Sequence, residues 1–268
     1  MNPFYFGPAD RQLFAIYHAP ERETESRAAL LMCCPYGHEA IRVHRLYRVL
    51  AERIARLGIA VLRFDFFGTG ESGGDDADGE MQGWQRDLLD AHEELQRRSG
   101  ARTTTWLAAR LGATLALQTA KRAPGLDRLI LWDPILDGPA YVEELHAAQI
   151  AMLEIGYYAS NPSWYQRRAQ GDGPAITEAL GHRISGELST QWAALRPDGL
   201  TLDSGAKTTV LSRPEDGRSR EWCLRESTRG RPVEHEMLEH PIDWTSDPIP
   251  NQAIVPVDVT RRLLALMR

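Results

Sequence analysis

The residues Trp106-Leu107-Ala108-Ala109-Arg110-Leu111-Gly112-Ala113 read as the end of a strand, a sharp turn and the start of a helix, with Arg110 at the apex and small residues at Ala108 and Gly112 beside it. A guanidinium stays protonated at any biological pH and carries donors but no lone pair, so Arg110 cannot attack a carbonyl. It can hold a carboxylate or phosphate through two parallel hydrogen bonds. Two uses follow: Arg110 anchors an anionic ligand, or it pairs internally with Glu39, Asp65 or Asp216. No hydroxyl takes the apex instead, because Thr103, Thr104 and Thr105 fall within the strand and Thr114 within the helix.

Three further segments hold polar groups where apolar strands end. Cys33-Cys34-Pro35-Tyr36-Gly37-His38-Glu39 forms a turn with two ionisable residues, His38 and Glu39, which reach a site only if they face the apex. Its adjacent cysteines close an apolar strand and read as core. Arg63-Phe64-Asp65-Phe66-Phe67-Gly68-Thr69-Gly70-Glu71-Ser72-Gly73 makes a tight turn that its glycines permit. Leu129 to Gly138 leaves a strand through Trp132-Asp133-Pro134, so Trp132 and Asp133 either border a pocket or simply form an Asp-Pro turn.

The elements that must position these groups alternate strand and helix, the pattern of a mostly parallel sheet covered on both faces. Strands are expected at Leu13–His18, Ala28–Cys34, Ala60–Asp65, Thr104–Ala108, Leu129–Asp133, Thr208–Ser212 and Val233–Glu239. Helices are expected at Arg42–Leu57, Gln82–Arg98, Gly112–Arg122 and Asp258–Met267; in the first, Leu46, Val49, Leu50, Ile54 and Leu57 recur at helical spacing. The alternation stops between about 139 and 200, where a helical cap insertion is expected within a single domain spanning 1–268. That stretch includes Tyr157, Tyr158, Trp164 and Tyr165, which form the underside of a lid or a surface for a partner protein.

The glycine-rich turn after Asp65, followed about 45 residues later by the Arg110 elbow, resembles the α/β-hydrolase superfamily, in its serine-aminopeptidase-like and exosortase-associated branches. The resemblance covers most of the chain and is strongest over residues 29–136. It implies the α/β-hydrolase fold with a helical cap. Its Gly-x-Ser-x-Gly elbow stands here as Ala108-Ala109-Arg110-Leu111-Gly112, with Arg110 in the nucleophile's place. By the same resemblance, Tyr36, Gly37 and Leu111 supply the backbone N–H groups of an oxyanion hole. Asp216, after a late strand, takes the place of the triad acid, and His240, between the last strand and last helix, that of the base.

These readings lead to a protein that binds an acyl, ester or other carboxylate-bearing small molecule in a biosynthetic pathway without ordinary serine hydrolysis. The alternatives are an atypical hydrolase or acyltransferase using water activated by His240 and Asp216, and a non-catalytic interaction homologue. A carrier protein or a second copy of the chain is a further candidate partner. Composition narrows the rest: 268 residues with a formal net charge of -6 and no Lys/Arg run argue against nucleic acid. No stretch has the order of a secretory signal or the length of a membrane span, so the expected compartment is cytoplasmic. Three cysteines give neither a disulfide framework nor a metal pattern, and no cofactor motif is present, so the expectation is no metal and no cofactor.

Overall fold

The computed structural model describes residues 1–22, 28–156, 177–245 and 255–267. Its strands are β1 (Asn2–Phe6), β2 (Leu13–His18), β3 (Ala28–Cys33), β4 (Ala60–Phe64), β5 (Thr103–Ala109), β6 (Leu126–Trp132), β7 (Glu178–Ala179), β8 (His182–Arg183), β9 (Lys207–Ser212) and β10 (Val233–Met237). Its helices are α1 (Gly37–Arg56), α2 (Met81–Ser99), α3 (Leu111–Thr119), α4 (Gly138–Gly156), α5 (Gly186–Ala193), α6 (Gly217–Thr228) and α7 (Val257–Ala265). Eight strands form one sheet in the order β1-β2-β4-β3-β5-β6-β9-β10. From β4 to β10 all neighbours are parallel, while β1 and β2 add an antiparallel edge.

Strand alternation divides the core into two layers. Ala29, Leu31 and Cys33 of β3 face one side, where residues of α2, α3 and α6 pack; Leu30 and Met32 face the other, against α1 and α7. A strand buried on both faces must be apolar at nearly every position, and Ala28–Cys33 is. On α1, Val43, Leu46, Tyr47, Leu50 and Ile54 are buried at helical spacing. No helix among the described residues is long and apolar enough to cross a membrane.

The expected strands are all present. The structure adds β1 and α6, and starts α1 at Gly37, five residues before the expected Arg42, which draws His38 and Glu39 into its first turn. Between β6 and β9, the described residues form α4, the small β7–β8 hairpin and α5. Gly138 lets α4 begin against α5, since a Cβ there would lie 1.6 Å from the Trp192 carbonyl oxygen. The segment from Tyr157 to Tyr165 lies outside the described residues.

Candidate functional site

The parallel strands bring their carboxyl ends to one edge of the sheet, the usual location of a ligand crevice in such folds. There Arg110 links β5 to α3 with φ 52° and ψ −127°, a backbone conformation that L-residues avoid. Its N–H donates to the Trp132 carbonyl at 2.9 Å, tying the turn to β6. Gly112 permits the turn to lie against the β3–α1 connection, because a Cβ there would sit 2.4 Å from the Cys34 carbonyl oxygen.

The Arg110 guanidinium is almost wholly buried between two carboxylates. Its Nε donates to Glu39 Oε1 at 2.8 Å, and its Nη2 donates to both oxygens of Glu144 at 2.8 Å. The partners differ in kind. Glu39, in the first turn of α1, has a side chain only 1% exposed, whereas Glu144, on α4, is 39% exposed. Tyr141, one turn before Glu144, donates its hydroxyl to Glu39 Oε2 at 3.3 Å and sets its ring 5.5 Å from the guanidinium carbon. Trp244 stands at 5.6 Å.

Electrostatics follow from this arrangement. Burial pushes the Glu39 carboxyl up to about 7, although Arg110 pulls it down. Burial also works against the Arg110 charge, but Glu39 and Glu144 together outweigh it and hold the guanidinium above its ordinary pKa. Burial raises the Cys34 thiol to about 12, so no thiolate forms there.

A cavity of about 290 Å³ opens beside Arg110, bounded by Ile135, Tyr141, Glu144, Asp216 and Arg218 among others. Asp216 borders it while serving as the N-cap of α6, where its Oδ1 accepts from the Ser219 N–H at 3.1 Å. The acid that His240 meets is Asp133, not Asp216: His240 Nε2 lies 2.8 Å from Asp133 Oδ2. The same oxygen accepts from Trp244 Nε1 at 2.7 Å. Asp133 follows β6 with φ 44°, and its N–H donates to the Leu211 carbonyl, so the acid is fixed from both sides. Trp132 packs edge-on against His240 and Trp244, with ring centroids 5.2 and 5.1 Å apart. The His240 side chain is fully enclosed, and its Nδ1 has no hydrogen-bond partner among the described residues.

On the other side of the apex, Tyr36 and Gly37 are covered by the β7–β8 hairpin. Tyr36 donates its hydroxyl to the Arg183 carbonyl at 2.9 Å and packs on Trp84 and Trp192. The His182 ring lies over Gly37, at 3.2 Å from where a Cβ would be. Leu111 is the buried first residue of α3, and His38 is half-buried at the start of α1. The structure thus brings Arg110, Tyr141, Glu144 and Asp216 to one cavity, with Glu39 buried behind Arg110, and Asp133, His240, Trp132 and Trp244 to a separate buried cluster. Glu144 is not among the residues the sequence points to. Its signal is an acid one turn from Tyr141, on a helix that also carries Glu143 and Glu154.

The family described as serine aminopeptidase, S33, matches residues 25–175. No curated protein matches the chain by sequence. Among solved structures, the esterase Est1E of Butyrivibrio proteoclasticus with ferulic acid bound shares 11% identity at a TM-score of 0.62, covering 98% of each chain. The bottromycin epimerase BotH in complex with Bottromycin A2 shares 15% identity at a TM-score of 0.61, covering 100% of each chain. A proline iminopeptidase-related protein of Thermus thermophilus shares 20% identity at a TM-score of 0.54, over 88% of this chain and 89% of that one. These likenesses show the α/β-hydrolase fold, and because the family match spans more than half of the residues, the chain belongs to the serine aminopeptidase S33 family of α/β hydrolases.

Proposed function

We propose that this α/β hydrolase carries Arg110 where serine hydrolases of the fold carry their nucleophile, and that it binds a carboxylate-bearing acyl or ester-derived small molecule without hydrolysing it. The observation that carries this reading is the asymmetry of the two carboxylates on Arg110. Glu39 is a permanent buried partner; Glu144 sits on α4 at the rim of the cavity, 39% exposed, in the two-oxygen arrangement that a ligand carboxylate would adopt. A ligand that exchanges with Glu144 keeps Arg110 paired while it enters, so binding does not strand a buried charge. Two of the similar structures fit this use: one holds ferulic acid, a carboxylic acid, and one is an epimerase.

Calorimetry with ferulate, other carboxylates and acyl thioesters tests it, alongside thermal melts. Arg110→Ala should weaken ligand binding by roughly 2–5 kcal/mol, because one partner of a desolvated pair is lost. Arg110→Lys should recover only part, lacking the planar fork. Glu144→Ala should strengthen binding by removing the internal rival. Serine-directed fluorophosphonates should leave the protein unlabelled. Failure of every carboxylate to bind both wild type and Glu144→Ala would make Arg110 an internal plug, and stoichiometric labelling of a Ser, Thr or Cys would end the non-hydrolytic reading.

A second reading rests on the His240–Asp133 pair, which has the composition of a proton-transfer dyad. It would serve an atypical hydrolase or acyltransferase that activates water, and it requires the enclosed imidazole to reach the cavity. Solvent-isotope and pH-rate profiles on an ester that wild type turns over and Asp133→Asn does not would favour it.

A further inference from the structure

On the opposite face of the sheet from the α2–α3 layer lies a second cavity, of about 320 Å³, between α1 and the β2–β4 strands. Arg63 of β4 borders it. Strand alternation places Arg63 with Val61, on the side of α1, while Ala60, Leu62 and Phe64 face the other layer. Arg63 is only 6% exposed, and its Nε is buried without a hydrogen-bond partner among the described residues. A cation in that state is costly, and its natural complement is an anion supplied from outside.

The protein's own acid there, Asp65, attracts Arg63 across the cavity, but its Oδ2 is turned to the Glu71 N–H at 3.0 Å, and Arg63 Nε stays without a hydrogen-bond partner among the described residues. The walls supply Phe14, Ile16, Ile41 and Tyr47, with His44 beside them. Apolar walls around one buried cation suit a ligand with an apolar body and a single negative charge. Asp65 and Glu71, which border the same cavity, oppose every anion and most strongly those of higher charge, so only a single charge placed directly on Arg63 is favoured.

We propose that this cavity is a second binding site, distinct from the one beside Arg110, for a monocarboxylate with a short aliphatic or aromatic body, its carboxylate on Arg63 and its apolar body along Ile41 and Phe14. It stands whether or not the Arg110 site binds a ligand, since the two sites use different arginines, Arg63 on β4 and Arg110 at the β5–α3 turn.

Sodium phenylacetate is the probe, with phenethylamine as a cation of similar body and inorganic phosphate as a multiply charged anion. Calorimetry and thermal shift of the full chain should show phenylacetate binding in wild type and neither control. Arg63→Gln should weaken phenylacetate binding by roughly thirtyfold or more, the loss expected for one partner of a buried charge pair. Should Arg63→Gln fail to fold, Ile41→Trp decides instead: residue 41 is 56% exposed, so the larger ring fills the cavity without disturbing the core and should abolish binding. Absence of phenylacetate binding in wild type, equal binding of phosphate, or unchanged affinity in the deciding variant overturns the proposal. So does loss of phenylacetate binding in Arg110→Ala with retention in Arg63→Gln.

Discussion

Replacing Glu39 by Gln should change how stability depends on pH, and the size of the change follows from the site. Burial raises the Glu39 carboxyl from 4.5 in the unfolded reference to about 7 in the fold. A carboxyl raised on folding binds more protons in the native state, so its contribution is fully present below about 4.5 and is lost as pH rises through about 7. The shift from 4.5 to about 7 corresponds to about 3 kcal/mol over the whole window, most of it falling between pH 5 and pH 8. With the side chain 1% exposed, solvent screening reduces this little. Gln mimics the protonated acid and can still accept from Arg110 Nε. The stability of Glu39→Gln relative to wild type should therefore rise by most of that amount from pH 5 to pH 8, whatever its sign at pH 5. Urea denaturation of both proteins at four pH values, followed by tryptophan fluorescence, measures it, and other titrating groups cancel in the difference. A difference constant to within about 0.5 kcal/mol across that range would refute the reasoning. The same titration bears on binding: as Glu39 takes a proton below pH 7, Arg110 presents more of its charge to the cavity, so carboxylate affinity should increase in wild type and stay flatter in Glu39→Gln.

Asp216→Ala should cost about 1 kcal/mol, the usual worth of a helix N-cap, because its side chain holds the Ser219 N–H. A loss above about 3 kcal/mol in thermal melts would show that capping understates its role. Asp133→Asn should cost more, about 2–3 kcal/mol, since one buried carboxylate oxygen serves both His240 and Trp244. An unchanged denaturation midpoint would contradict that dual role. Gly112→Ala should destabilise severely, as its Cβ would lie 2.4 Å from the Cys34 carbonyl oxygen, and a soluble variant with wild-type melting would place the elbow differently.

Much of the fold is legible in the sequence because both-faced burial forces continuous apolar runs such as Ala28–Cys33, and one-faced burial forces the spacing of Val43, Leu46, Leu50 and Ile54. The elements missed lack those forces. Strand β1 is an edge strand whose residues are largely exposed, and α6 buries only a few positions, among them Trp222 and Cys223. At the site, Glu39 is one of three acids the sequence offers as internal partners of Arg110, and the structure selects it over Asp65 and Asp216. Asp133 meets His240 across 107 residues. No local pattern distinguishes it from Asp216, an acid after a late strand that proves to cap the next helix. Glu144 is invisible for a similar reason: only the packing of α4 over the elbow brings it to Arg110.

The turn at Arg110 explains why an apex without a nucleophilic group keeps a strained backbone. Residues held in such conformations cost of order 1–3 kcal/mol and persist where their surroundings over-determine them. Here β5 and β6 are in register up to Ala109 and Trp132, the Arg110 N–H continues that ladder onto the Trp132 carbonyl, and Gly112 must pass against Cys34. The chain therefore has to reverse direction within one residue, whichever side chain stands there. The same reversal points that side chain toward α1 and α4, where Glu39 and Glu144 meet it. The strained turn thus presents a buried cation. Glu39 makes that cation tolerable, and Glu144, partly in solvent at the cavity rim, is the partner that a ligand would displace under the proposed function.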